Sequence, residues 1–538
     1  MARSLTVRNT VIFILCLLLA AGCLSGCSVF RRRTDPEKTV EPSFSPEPTA
    51  EPSSGGTLRL PIPVNAPFED PYDVSTEEML NLFSLMYDKL LTLNAQGEIE
   101  PCLCESWTAE GDGAWILRIR EGVKWHNGEE LTADDVVYSY ESLKEMTKGY
   151  YRPCLDRIEE LVRIDEHTVR VKFDITGIAA LYYLVFPIKC EAKLVGTGPY
   201  RLFRADNNAI VLSANADWWD RPPYIEYIRF YERDSTSTAL ASFEAGQLNM
   251  IPTDILTAGK YSELGVTNVV DVMTQNMEAL LFNHDGSVFA HRELRLAVAH
   301  AVNRSRIITN VYMNRARVSD SPIAPDNWLN SRRSGALSYD PDRALELIEQ
   351  AGFTVISREE ADLRYSRSGE SLAVRLLTSA TTDNTVRSDA ATMIKAELEE
   401  LGFSVELVTK KHTLGSGESE FVKALKKGDW DIALVGFNLA FGCDFTSFVC
   451  PDGANNFGHI ADSELEALAL SLLSADSEES LRERANEFQN YFTENVPFMT
   501  LYFRLNSIIF SAKILGVEGA REPMIFEEIK NWHFKKQS

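Results

Sequence analysis

The usual marks of an enzyme are missing from this chain. It contains no His-Glu-x-x-His, no Gly-x-Ser-x-Gly and no P-loop. The residues that zinc hydrolysis, acyl transfer at a nucleophile elbow, or nucleotide hydrolysis would need are therefore not in place. Only eight histidines occur in 538 residues, and none pair at metal-ligand spacing. Cys102-x-Cys104 is too tight for a zinc knuckle and has no nearby His. Basic residues are also scarce, 54 against 78 acidic ones, for a net charge of −24. An acidic surface repels phosphate backbones, so nucleic acid is not an expected partner. Beyond the first residues no apolar run is long enough to span a bilayer, and no repeat of solenoid period occurs. These absences predict no catalysis, no cofactor, no metal and no pore.

What is present is globular. Hydrophobic residues make up 45% and charged residues 25%, and the length predicts two or more domains. The N-terminus stands apart. Arg3 and Arg8 precede the short apolar run Val11 to Ala21, which reads as a secretory signal rather than a span. Leu24-Ser25-Gly26-Cys27 follows and is similar to a bacterial lipobox. Residues 1–26 are therefore expected to be removed and Cys27 acylated, anchoring the chain to a membrane. Residues 27–55 are rich in Pro, Glu, Ser and Thr and read as a tether. Arg31 to Arg33 stand beside the lipid site and suit anionic headgroups. Six cysteines lie beyond this segment: Cys102, Cys104, Cys154, Cys190, Cys443 and Cys450. An exported chain can oxidise them, and Cys443 with Cys450 would close a short loop, but spacing does not fix connectivity.

Periodicity and punctuation place the elements. Thr57 to Ile62 reads as a strand broken by Pro61, Pro63 and Pro67. Thr76 to Leu91 is apolar at helical spacing. Asn127-Gly128 marks a tight turn, and Thr132 with Asp135 marks a helix start. Strands are predicted at Trp115 to Arg120, Thr168 to Phe173, Tyr200 to Phe203 and Ile225 to Tyr231, and a helix at Arg295 to Ile308. From about residue 340 helix, Gly and strand alternate, which is α/β construction. Phe498 to Phe503 and Ser507 to Phe510 return to strand.

One long ordered stretch is more specific. Pro101-x-Leu103 and Ser106-Trp107 lead into Asp112-Gly113-x-Trp115-x-Leu117-x-Ile119-Arg120-x-Gly122-Val123-Lys124-Trp125-His126-Asn127-Gly128. Leu131-Thr132-Ala133-Asp134-Asp135-Val136-Val137-Tyr138-Ser139 closes it. This order resembles the family 5 extracellular solute-binding proteins of ABC transporters, the oligopeptide-, dipeptide- and nickel-binding group. Tyr87-Asp88, Gly196-Thr197-Gly198-Pro199-Tyr200, Trp219-Asp220-Arg221-Pro222-Pro223, Leu281-Phe282-Asn283 and Asn303-Arg304 agree in order. The physical reading of the signature itself is structural: turn, cap and aromatic core.

The resemblance implies an α/β, bilobal periplasmic-binding-protein-like fold of class II, with an extra inserted subdomain and two lobes joined by a hinge. Lobe one would take 56–90, 175–274 and 499–538, the insertion 91–174, and lobe two 275–498. The ligand would bind between the lobes. In the family, a Gly-Trp loop is followed, four residues after the Gly, by an Asp that pairs with a peptide's α-ammonium. Here the stretch is Gly436-Phe437-Asn438-Leu439-Ala440-Phe441-Gly442-Cys443-Asp444. Phe437 replaces the Trp and Ala440 replaces the Asp. Either Asp444 takes over, or the ligand is not a peptide with a free amino terminus. Candidate ligand contacts are Asn65 and Phe68 in the loop after the first strand, and Phe437, Asn438 and Asp444. The implied function is capture of oligopeptides or dipeptides by a monomeric lipoprotein at the outer face of the cell membrane (the periplasmic side in a Gram-negative cell), for an ABC permease and its ATPases. The alternatives are a non-peptide solute, such as a nickel chelate, an oligosaccharide or a heme-like compound, or a surface receptor for peptide signals.

Overall fold

The first strand, Thr57–Pro63, alternates buried and half-buried residues, with Leu58, Leu60 and Ile62 turned into the core. It runs on through Pro61 and Pro63, which the sequence reading took as breakers. It can do so because it is an edge strand, paired on one side only, in parallel with Tyr227–Arg233. Ala209–Ala214 and Tyr200–Asp206 complete this four-stranded sheet. The computed structural model describes residues 52–74, 76–206, 209–331, 335–357, 362–381, 385–413, 418–439 and 442–536. The signal segment, Cys27, nearly all of the tether and Ala440 lie outside them.

A second, antiparallel sheet is spatially ordered Cys104–Gly111, Ala114–Ile119, Thr168–Phe173, Ile158–Asp165. The helix Ala133–Glu145 packs on it, opened at the predicted N-cap Thr132, whose backbone N–H donates to Asp135 Oδ2 at 2.9 Å. The large sheet has the order Met250–Thr253, Phe498–Ser511, Thr267–Phe282, Ile432–Asn438, Ala373–Ala380, Ser404–Lys411, and Ala316–Val318 also pairs with Phe498–Ser511. Its last three strands run parallel. Val386–Glu399 and Glu420–Lys427 connect them, with Gly402 and Gly428 past the helix ends as expected.

Four predicted elements differ. The Thr76–Leu91 helix stops at Ser84, because the Leu85 and Met86 carbonyls turn away to accept from the backbone N–H groups of Tyr200 and Gly198. The Arg295–Ile308 helix is two helices, Arg292–Ala301 and Arg304–Asn310, with Asn303 capping the second. The two strands at the C-terminal end are one, Phe498–Ser511. Its partner Thr267–Phe282, 16 residues long, had no strand signal. Both are central strands; Phe498–Ser511 is covered on two faces along nearly all its length and Thr267–Phe282 over Met277–Phe282, so the alternation that marks a one-sided strand is lost there.

The signature residues converge on one structural point. Asp88 Oδ2 accepts from Thr197 Oγ1 at 3.0 Å, Trp218 Nε1 at 3.2 Å and Trp219 Nε1 at 2.8 Å. His126 Nδ1 accepts from the Gly196 N–H at 3.2 Å, which leaves Nε2 to donate to the Gly198 carbonyl at 3.1 Å. A Cβ at Gly196 would collide with the Met86 carbonyl oxygen, so only glycine fits. The motif therefore builds the fold and lines none of the cavities described below.

Candidate functional site

The two long strands carry the site because their pairing fails in the middle. Thr267–Phe282 and Phe498–Ser511 pair in register up to Met273, break, and resume at Met277. Before the break the large sheet is flanked by Met250–Thr253, and after it by Ile432–Asn438. The extra residues, Thr274, Gln275 and Asn276, form a polar bulge where the sheet changes neighbours. Local bonds fix it: Thr274 Oγ1 donates to the Arg504 carbonyl at 2.9 Å, the Asn276 N–H donates to Thr274 Oγ1 at 3.0 Å, and the Leu439 N–H donates to the Gln275 carbonyl at 2.9 Å.

Cavities gather around this bulge. One of about 680 Å³ reaches from Arg157 and Tyr183 past Gln275 and Asn438 to Asp444. Another of about 650 Å³ is lined by Glu77, Lys148, Gln275, Asn276, Asn438 and Glu522. A third, about 370 Å³, shares Glu77, Asn276 and Glu522 with the second and adds Glu78, Asp254 and Arg504. Among the described residues, the side-chain amides of Gln275, Asn276 and Asn438 make no hydrogen bond.

The five predicted contacts divide. Asn438 lines two of these cavities, opposite Asn276 in the ladder. Asp444 lines the largest of the three. Phe437 packs edge-on against Phe448 with ring centroids 5.0 Å apart and is half-buried behind that wall. Phe68 stacks on Phe83 at 5.5 Å, and Asn65 is exposed at positive φ; neither lines the cavities, although their neighbour Pro67 does. All six cysteines of the body are free thiols, Cys443 and Cys450 included.

Asp444 is already heavily engaged. Its Oδ2 accepts from Arg157 Nη2 at 2.8 Å, Arg157 Nε at 3.2 Å and Tyr183 OH at 2.9 Å. Its Oδ1 accepts from the N–H and Oγ1 of Thr446. Burial pushes its carboxyl up, but the Thr446 and Arg157 hydrogen bonds and the Arg157 charge outweigh that and hold it below the ordinary carboxylate value. Nearby, Gly436 stands beside a bidentate ion pair, with Arg387 Nε and Nη2 each donating at 2.8 Å to the buried Glu278. A Cβ at Gly436 would strike Arg387 Nη2 and lie 3.0 Å from Glu278 Oε1, so a larger residue here must displace the guanidinium.

The acids around the third cavity behave differently. Burial and the neighbouring Glu77 push the Glu522 carboxyl up to about 8, and burial with Glu78 and Asp254 beside it also raises Glu77. Sequence reasoning missed Gln275, Asn276, Arg157, Glu77 and Glu522. The one legible signal was Thr274-Gln275-Asn276, three polar residues between Met273 and Met277.

Comparison with known proteins agrees with this architecture. The family model "Bacterial extracellular solute-binding proteins, family 5 Middle" matches residues 98–455. The oligopeptide-binding protein AppA of Bacillus subtilis is 23% identical over 98% of this chain and 99% of its own length. Heme-binding protein A of Haemophilus influenzae is 22% identical, covering 80% of this chain and 84% of its own. The solved structure of HbpA2 from Haemophilus parasuis superposes with a TM-score of 0.76 at 18% identity, covering 89% of this chain and all of that one. The fold is thus the bilobal α/β fold of these binding proteins. Among the described residues no helix is long and apolar enough to cross a membrane. The match over more than half of the chain settles its membership: this protein belongs to the bacterial extracellular solute-binding proteins of family 5, which serve transporters and are not enzymes.

Proposed function

We propose that this protein is a lipid-anchored peptide-binding component of an ABC importer, acylated at Cys27 and monomeric. It captures oligopeptides in the cavities around the Thr274–Asn276 bulge. The observation that carries this reading is the trio of amides Gln275, Asn276 and Asn438, uncommitted among the described residues, on the walls of two large cavities. A side-chain amide both donates and accepts, as a peptide bond does, so three of them suit a ligand's main chain whatever its sequence. Volumes of about 680 and 650 Å³ leave space for side chains and bridging water. AppA, similar along nearly the whole chain, is named for oligopeptide binding.

In this reading the two lobes are 56–90 with 175–274 and 499–538, and 275–498, with 91–174 inserted. The Thr274–Asn276 bulge lies at the boundary and serves as a hinge. The test is a thermal-shift screen of the full-length protein in detergent against mixed di- to octapeptides. A ligand at 100 times its Kd stabilises the fold by about 2.7 kcal/mol, so selective peptide binding raises the melting temperature. No shift with any peptide overturns the peptide assignment.

A further inference from the structure

The end of the body where the N-terminal segment joins it differs from the rest of this acidic protein. Ser53, near the start of the described chain, pairs with Phe534, and the Gly55 N–H donates to the Tyr224 carbonyl at 2.7 Å. Phe534 pairs in turn with Ile514, and the Lys535 N–H donates to the Lys513 carbonyl at 2.8 Å. One residue earlier, the Ala512 N–H donates to the Val266 carbonyl at 2.9 Å. These pairings set the loop Glu263-Leu264-Gly265-Val266 beside the point where the N-terminal segment enters. Gly265 takes a left-handed φ of 68°, so the chain reverses there. Leu264 is 58% exposed and Val266 69%, more than any other large hydrophobic residue described. Lys260, Lys513, Lys535 and Lys536 are exposed on the same segments, and among the described residues none of them makes an ion pair. Two carboxylates stand against these four ammonium groups: Glu263 in the loop, and Glu226 just before the Tyr227 N–H that donates to Gly56. The local balance is positive in a chain whose net charge is −24. None of the four lysines or the two apolar residues lines a cavity described above.

Resting on the lipid-anchor reading above, we infer that this end is a membrane-contact surface: Leu264 and Val266 enter the headgroup boundary of the bilayer, and Lys260, Lys513, Lys535 and Lys536 meet anionic lipid phosphates. Apolar side chains at an exposed loop tip leave water when they reach the acyl boundary, which favours contact. Lysines around them keep their ammonium groups at headgroup level while their stems lie along apolar surface. Chain connectivity supplies the partner. The segment that leads back to Cys27 joins the body at Ser53, so an acylated Cys27 brings a bilayer and this end together without a separate encounter. Arg31 to Arg33, next to Cys27 in sequence, share the preference for anionic headgroups. An anionic leaflet repels the acidic remainder of the body, so charge also selects this end over the others. Two apolar side chains and four lysines do not replace acyl chains. The contact orients the body, and the lipid holds it.

The test is amide hydrogen exchange, read by mass spectrometry at low salt, on the full-length acylated protein in vesicles of phosphatidylcholine alone or mixed equally with phosphatidylglycerol. Flotation of the same vesicles in high salt reads the anchor separately. On the anionic vesicles, exchange across 262–268 and 533–536 should slow at least about 5-fold, the equivalent of one lysine's attraction to an anionic leaflet. High salt should reverse the slowing and leave flotation intact. Leu264→Ser with Val266→Ser, and Lys513→Glu with Lys535→Glu and Lys536→Glu, should each remove most of the slowing. Both variants should keep the wild-type melting temperature, because all five side chains are exposed. Equal exchange on the two vesicle types overturns the contact surface and leaves the anchor standing. So does slowing that grows with protein concentration in neutral detergent without vesicles, which assigns the patch to a second copy of the chain. Flotation lost in high salt overturns the anchor, while slowing on anionic vesicles at low salt would still support the surface. Neither flotation nor slowing under any condition overturns both.

Discussion

Arg157 Nη2 lies 2.8 Å from Asp444 Oδ2, joining residues 287 apart in sequence. Arg157 leads into the Ile158–Asp165 strand of the small antiparallel sheet, and Asp444 follows the Ile432–Asn438 strand of the large one. Tyr183 shares the same carboxylate oxygen, and Arg157 also reaches Asp174 at 3.2 Å. Sequence alone suggested that Asp444 faces a ligand. The structure gives it a second task, tying two sheets together at the edge of the largest of the three cavities around the bulge.

Asp444→Asn should therefore destabilise the protein at pH 7 by about 1–3 kcal/mol, the range for hydrogen bonds to a charged partner. The Asp444 carboxyl is held low in the fold, so its contribution is present above the unfolded carboxylate value and fades as pH falls through the folded one. The gap between wild type and variant in urea midpoint should be open at pH 7 and narrow toward pH 3. An unchanged midpoint at pH 7 would show the pair to be inconsequential.

Gly436→Ala tests the close approach beside Glu278. The added methyl displaces Arg387 from its bidentate pairing. A loss of about 1–3 kcal/mol is expected, as for other overpacked sites. Calorimetric melting of the variant measures it, and a wild-type melting point would contradict the geometry.

His126 and His284 should make the fold acid-sensitive. Burial lowers both to about 4, against an ordinary value of 6.5. A histidine lowered in the fold favours it fully above the unfolded value, and that advantage is lost as pH falls from 6.5 toward 4. Each contributes up to roughly 3 kcal/mol across this window. Denaturant titrations at half-unit pH steps read the slope. His126→Gln should be less stable at pH 7 and show a shallower decline.

Glu522 has the opposite sign. Its carboxyl is raised in the fold, so ionising it costs stability between the unfolded carboxylate value and about pH 8. Without ligand, Glu522→Gln should match wild type near pH 5 and exceed it at pH 8 by at least about 1 kcal/mol. A variant less stable than wild type at pH 8 would mean that the charged form is satisfied after all.

The amides on the cavity wall should matter for ligand and little for folding. Gln275→Ala and Asn438→Ala should each weaken peptide binding by about 2- to 10-fold, the net value of one hydrogen bond. Their melting temperatures without ligand should stay near wild type. Loss of stability with unchanged affinity would move these residues from the binding surface to the scaffold.

The sequence by itself determined the class of molecule. The ordered stretch from Pro101 to Ser139, with Asp88, Trp219 and Gly196-Thr197-Gly198, is legible because each residue answers a local demand: a turn, a cap, an indole N–H seeking an acceptor. Alternating helix, Gly and strand after residue 340 is legible for the same reason, since each unit buries one face. Asn438 and Asp444 were singled out through the resemblance to the family's loop, and the structure places both on cavity walls. Tertiary structure alone decided the rest. The 16-residue strand Thr267–Phe282 is invisible because burial on both faces erases the period of its Met277–Phe282 half, and the polar bulge interrupts the rest. The Arg157–Asp444 pair and the meeting of Glu77 with Glu522 join positions 287 and 445 residues apart. No local pattern records such a meeting, because charge and burial at a site are set by what the chain brings there from elsewhere.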